Sequence, residues 1–133
     1  MEQTDIFKKD YILIPIHLTM HWTMAVINMK DCLVEYYDSL HGNEPDAFRV
    51  LMQYVQEEHA AKKPDCTLDI GKWQTFYAYR CPVQQNGYDC GIFACQFGEY
   101  RSRGDKTLAF GQANMLYFRE KMVWEMLSGR LLL

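Results

Sequence analysis

The chain lacks the features that would place it in several large protein classes. No stretch approaches the ~18 consecutive apolar residues of a membrane-spanning helix, and the N-terminal region carries Asp5, Lys8, Lys9 and Asp10 without an apolar run. There is no Cys-x-x-Cys pair. The five cysteines, Cys32, Cys66, Cys81, Cys90 and Cys95, leave one over from any pairing, which argues against a disulfide framework and for reducing conditions in cytosol or nucleus. Clusters of Lys and Arg are absent and the net charge is −3, so there is no electrostatic footprint for nucleic acid; a protein partner or a small substrate fits better. Internal repeats, low-complexity tracts and linkers are also missing, which leaves one domain at most in 133 residues.

What is present is a chain able to build a core. Hydrophobic residues make up 49% and aromatic residues 14%, a composition opposed to disorder. Residues 11–16, 22–29 and 32–37 are rich in apolar and β-branched side chains and predict an antiparallel β unit, with Lys30-Asp31 as a two-residue turn. Phe48, Leu51, Met52 and Val55 repeat at helical spacing within 46–58 and predict an amphipathic helix that ends at Lys62-Lys63-Pro64-Asp65. Residues 73–79 are a further strand candidate. A last helix over about 114–128 would turn Met115, Phe118, Met122, Val123, Met126 and Leu127 to the core and stop before Gly129. The fold class is α+β.

The chemistry concentrates in Pro82-Val83-Gln84-Gln85-Asn86-Gly87-Tyr88-Asp89-Cys90-Gly91-Ile92-Phe93. Asn86-Gly87 signals a turn, Asp89 is a good N-cap type, and Ile92, Phe93, Gln96, Phe97 and Tyr100 recur at helical spacing up to about Arg103, where Gly104-Asp105 breaks the pattern. Cys90 is therefore a first-turn residue, where unpaired backbone N–H groups and the helix dipole favour the nucleophilic thiolate. A lone cysteine is more often a small buried hydrophobe. A working thiol needs an imidazole and a group that orients it, and His21 and Asp38, each at the end of a β-type run, are the candidates. Taken alone, Asp38-Ser39 is equally an ordinary turn start.

These residues resemble the sentrin-specific and ubiquitin-like-protein-processing cysteine peptidases, the SENP/ULP group that cuts SUMO and its relatives. The resemblance is carried by His21-Trp22, by Tyr37-Asp38-Ser39, by the Gln-x-Asn-Gly-x-Asp-Cys-Gly signature from Gln84 to Gly91, and by the terminal Tyr117-Phe118-Arg119-Glu120-Lys121-Met122-Val123-Trp124-Glu125 segment. It implies a papain-like fold of the ubiquitin-like protease type, with His21 as general base, Asp38 as its orienting group, Cys90 as nucleophile and Gln84 as oxyanion-hole side chain. It further implies cleavage after the terminal Gly-Gly of SUMO, in precursor maturation and deconjugation, with SUMO and SUMO-conjugated proteins as partners. No metal or organic cofactor is expected, and neither nucleic acid nor a membrane is expected as a partner. The family expectation for location is the nucleus, with the cytoplasm as a second compartment.

The resemblance runs from about Asp10 to Leu132 and covers only the later part of the family's catalytic domain. Residues 1–9 are then an N-terminal lead and 10–133 a partial catalytic domain. The mostly helical segment that precedes this region in the family, with its core packing, substrate-gripping surface and second Trp opposing Trp22, is expected to lie outside this sequence, leaving the chain less stable and less active. Val83, where Gln is common, and Leu116, where Pro is common, depart from the pattern without touching a proposed catalytic group.

Other residues have plainer readings. His17 and His21 have i, i+4 spacing, but Pro15 and β-type flanks speak against a helical metal site there. His41 and His59 are expected on a loop and on a helix surface, and Trp73 and Trp124 in the core. Trp22 is expected to close over the diglycine tail as a flat lid that excludes side chains. Gly87 and Gly91 are expected to permit a positive φ and a close approach of substrate backbone, and Asp89 to serve as N-cap. Two alternatives stand beside the SUMO peptidase: a NEDD8-specific relative, which shares the cysteine signature, and a truncated, poorly active fragment that binds a ubiquitin-like protein without turnover.

Overall fold

The computed structural model describes residues 3–132; Met1 and Glu2 of the N-terminal lead and Leu133 lie outside the described residues. Strands β1 (Tyr11–Leu18), β2 (His21–Asn28) and β3 (Leu33–Tyr37) form an antiparallel meander. Helix α1 (Pro45–Lys62) then crosses to β4 (Gln74–Tyr77), which pairs parallel to β3, giving the order β1-β2-β3-β4. A parallel partner needs such a crossover, whereas the antiparallel pairs need only tight turns. Helices α2 (Cys90–Ser102) and α3 (Met115–Ser128) complete the chain. Pro15 has no N–H to give to a ladder and sits on β1, an edge strand, where that loss costs least.

The sheet separates two cores. On one face Ile27, Val34 and Val55 are fully buried and Trp73 joins them, packed by α1. On the other, Met24, Val26 and Tyr37 meet Phe93, Ala94 and Phe97 of α2 and Met115 and Phe118 of α3. Alternation along β2 makes this possible: Met24 and Val26 point to one side, Ile27 to the other. Across the α2 interface lies a buried ion pair. Arg101 donates Nε to Glu35 Oε1 at 2.8 Å and Nη2 to Oε2 at 3.1 Å, and Tyr37 Oη and Asn28 Nδ2 donate to the same carboxylate, so neither charge is left without a partner.

Several expectations are corrected. The Lys30-Asp31 turn is a four-residue connection, residues 29–32, in which Cys32 takes φ 55°. His59 is not on the helix surface but 8% exposed, edge-on to Phe7 at 5.3 Å, with the Cys66 thiol 3.6 Å from its Nε2. Trp73 is a core residue, whereas Trp124 is 66% exposed. In α3 only Met115 and Phe118 reach the core; Met122 is half-buried, and Val123, Met126 and Leu127 face solvent. Apolar residues occur all round α3, so periodicity does not select the buried face. The burial separates two substitutions sharply. Phe118→Ala should cost about 3–5 kcal/mol of stability, as for other core Phe truncations. Leu127→Glu, at a residue 75% exposed, should stay within about 0.5 kcal/mol of wild type. Denaturant melts of the two variants measure this; equal losses would place Leu127 in a packed environment.

Candidate active site

The turn Thr19-Met20 links β1 to β2, so His21 opens β2, paired with Leu18, rather than ending a run. Asp38 follows β3 directly. Both groups lie at the same end of neighbouring strands, and Nε2–H of His21 donates to Asp38 Oδ1 at 2.6 Å. With Nε2 committed to the carboxylate, Nδ1 is left as the proton-accepting nitrogen.

The Asp38 carboxylate is itself built in. Leu40 N–H donates to Oδ1 at 2.8 Å and Gly42 N–H to Oδ2 at 3.0 Å. Gly42 is required by this closeness, because a Cβ added there would stand 2.6 Å from Oδ2. Tyr77 Oη donates to Gly42 carbonyl oxygen at 2.5 Å and fixes the turn from β4. Gly42 carries no sequence signal beyond its place four residues after Asp38.

Cys90 is the first residue of α2. The position of that helix follows from its other contacts. Arg101 reaches Glu35, and its guanidinium lies 5.4 Å from the Tyr11 ring centroid; a Cβ at Gly98 would meet Met24 Cε at 3.2 Å and Leu13 Cδ1 at 3.6 Å. The helix rises about 12 Å from Gly98 back to Cys90, and β2 runs back from Met24 to His21 over about 10 Å. The start of α2 thus lies at the end of the sheet that carries His21 and Asp38.

Gln84 is buried beside them. Its backbone N–H donates to Ser39 carbonyl oxygen at 2.9 Å, the Ser39 hydroxyl donates to its Oε1, and its Nε2 donates to Asn86 carbonyl oxygen at 2.6 Å. The amide is therefore oriented, with Oε1 occupied and one N–H of Nε2 left over. Ser39, read from sequence only as part of a turn, is what sets this orientation.

Three further expectations change. Asp89 occupies the N-cap position, but its side chain makes no capping hydrogen bond. Its carboxylate accepts instead from Asn86 Nδ2 at 2.7 Å, Gln112 Nε2 at 2.8 Å and Arg119 Nε and Nη2 at 2.9 and 2.7 Å. Burial works against its charge, yet these donors prevail and hold the carboxyl below its usual range. A lowered pKa means that the ionised form stabilises the fold above the ordinary carboxylate range, a contribution lost as pH falls through the lowered value. Neither Gly87 nor Gly91 has positive φ; among the described glycines only Gly104 and Gly129 do, while Met20, Cys32 and His41 take left-handed angles at tight turns. An added Cβ at Gly87 or Gly91 meets nothing within 4 Å, so the space above both is open.

Trp22 faces away from its neighbour His21, 43% exposed, and packs on His17 with ring centroids 4.5 Å apart. Among the described residues, no group of three or more His, Cys, Asp or Glu side chains is arranged to hold a metal ion.

The model of one known family, described as Ulp1 protease family, C-terminal catalytic domain, matches residues 1–130, nearly the whole chain. The chain belongs to this family. It is 43% identical over 130 residues to a sentrin-specific protease of Caenorhabditis elegans, covering 98% of this chain and 18% of that protein. It is 41% identical over 119 residues to ubiquitin-like-specific protease 1A of Arabidopsis thaliana, covering 90% and 23%. Among solved structures it resembles the C-terminal Ulp1 protease domain crystallised with Smt3, the yeast orthologue of SUMO, with a TM-score of 0.77, 31% identity, and coverage of 94% of this chain and 55% of that one. The Ulp1-like SUMO protease catalytic domain of Chaetomium thermophilum gives a TM-score of 0.79 at 27% identity, covering 93% and 48%. The chain thus spans about a fifth of the length of these curated relatives and about half of these solved chains.

Proposed function

We propose that this chain forms the catalytic centre of a SUMO-specific thiol peptidase and isopeptidase. The observation that carries the reading is the 2.6 Å bond from His21 Nε2–H to Asp38 at the sheet end where α2 begins with Cys90. In the reaction, His21 Nδ1 takes the thiol proton and the Cys90 sulfur attacks the carbonyl carbon of the terminal Gly. The free N–H of Gln84 and the backbone N–H of Cys90 are the donors for the oxyanion. Collapse expels the amine, which leaves with the proton from the His21 imidazolium, and a thioester remains on Cys90. Water, deprotonated by His21, then hydrolyses it and restores the thiol. Asp38 stabilises the imidazolium throughout. Trp22 covers the diglycine, and a flat ring passes a chain without Cβ atoms while excluding others.

SUMO is the favoured substrate because one similar solved domain is described as a SUMO protease and another was crystallised with the yeast SUMO orthologue. Side-by-side labelling with SUMO, NEDD8 and ubiquitin probes that carry a C-terminal thiol trap tests this. Labelling of Cys90 by the SUMO probe in preference to the other two, at a lower rate than a longer form of the domain would show, is the expected outcome. Preference for the NEDD8 probe would move the chain to that branch, and binding without labelling would make it a recognition fragment.

A further inference from the structure

The segment that carries Gln84 and leads to Cys90 has no regular secondary structure between Pro82 and Asp89, and Val83, Gln85, Gly87 and Tyr88 are exposed. It must nevertheless hold one amide N–H in place. On one side it is tied to Ser39, as described above. On the other side it is tied to residues far along the chain. Gln85 N–H donates to Gln112 Oε1 at 2.7 Å, and Gln112 Nε2 donates to Asp89 Oδ2 at 2.8 Å, so one side chain bridges both ends of the loop. Arg119, on the first turns of α3, gives Nε and Nη2 to Asp89 Oδ1 and Nη2 also to Tyr88 carbonyl oxygen at 3.1 Å. Asn86 closes the loop from within, with Oδ1 accepting from Tyr88 N–H at 3.1 Å and Asp89 N–H at 3.0 Å.

We infer that Gln112 and Arg119 are positioning residues for the peptidase reaction, acting through Asp89 and Gln85 on the oxyanion loop; this rests on the thiol-peptidase reading. The Asp89 carboxylate is buried and serves four donor atoms from three side chains, a charge-assisted knot whose strength exceeds that of an exposed pair. Its location immediately before Cys90 couples α3 to both oxyanion donors, the Gln84 side chain and the Cys90 backbone N–H. Arg119 therefore has a role in this segment other than packing.

The test uses Arg119→Gln, Arg119→Lys and Gln112→Ala with three readouts: amide hydrogen exchange, kcat and KM on a SUMO–peptide fusion, and alkylation of Cys90 by iodoacetamide, which needs no oxyanion hole. Arg119→Gln and Gln112→Ala should speed exchange across residues 84–90 and leave β2 and β3 protected. The kcat should fall by roughly 10- to 100-fold, the scale of a misplacement of about 1 Å, with KM and Cys90 alkylation near wild type. Arg119→Lys keeps the charge without the planar fork and should recover only part of kcat. A purely structural role would instead raise exchange throughout the domain and leave the kcat of the folded fraction intact, which overturns the inference. Unchanged exchange in 84–90 overturns it too. A wild-type protein that cleaves no SUMO fusion refutes the functional reading, while loop exchange with intact Cys90 alkylation still decides whether the clamp exists.

Discussion

Replacing Cys90 by serine should lower cleavage of a SUMO–peptide fusion on the order of 10⁴-fold or more, the scale on which hydrolases lose activity when a nucleophile or base is removed. His21→Ala should do the same, and the double variant should be no worse than either alone, because the pair acts as one unit. The reason is chemical as well as geometric. A hydroxyl holds its proton far more tightly than a thiol, and an imidazole placed to serve a sulfur is not matched to that harder abstraction. Cys95→Ser is the control. Cys95 lies five residues further along α2, well round the helix from Cys90, on an exposed position, and it should leave turnover near wild type. Retained cleavage by Cys90→Ser, or an equal loss in Cys95→Ser, would show that the reacting thiol is another one.

The elements of this fold were readable where the signal is local. Strand segments, the end of α1 at Lys62, the start of α2 at Cys90 and the left-handed stop of α3 at Gly129 follow from periodicity and turn residues close in sequence. What stayed hidden depends on partners distant in the chain. Asp89 has the composition of a cap, yet Arg119, thirty positions away, draws its carboxylate outward from that role. His59 has the spacing of a surface residue until Phe7 covers it. The buried face of α3 is set by α2 and the sheet, and a helix apolar all round does not announce which side they will take. Glycine misled in a different manner: Gly87 and Gly91 adopt ordinary angles, while Gly42, which no turn rule singles out, is the one whose missing Cβ leaves room for the Asp38 carboxylate. At the site itself the residue types were legible and their support was not. His21, Asp38, Gln84 and Cys90 are named by pattern; Ser39, Gly42, Gln112 and Arg119 emerge only from the bonds they make.

Asp38→Asn should keep the fold and reduce kcat on the order of 10²- to 10³-fold, less than the ~10⁴-fold seen when the corresponding change in a serine-protease triad imposes the wrong tautomer. The backbone around Asp38 explains the difference. An asparagine must put an NH₂ group where one carboxylate oxygen was. At the Oδ1 position it would oppose two donors, Leu40 N–H and His21 Nε2–H; at the Oδ2 position it would oppose only Gly42 N–H. The second orientation is favoured, so the amide oxygen still accepts from His21 and the tautomer survives. What disappears is the negative charge that stabilises the imidazolium, together with the bond to Gly42, whose orphaned N–H should cost about 1–3 kcal/mol of stability. Gly42→Ala approaches the same carboxylate from the other side. Its Cβ, 2.6 Å from Oδ2, must push the group aside while leaving its charge intact. The kcat should then fall roughly 10- to 100-fold through misplaced geometry alone, with KM for the SUMO fusion near wild type. Steady-state kinetics and thermal melts on both variants decide the matter. If Asp38→Asn turns over and melts as wild type does, Asp38 is a turn residue; if Gly42→Ala is silent, the carboxylate has freedom that its three donors should deny it.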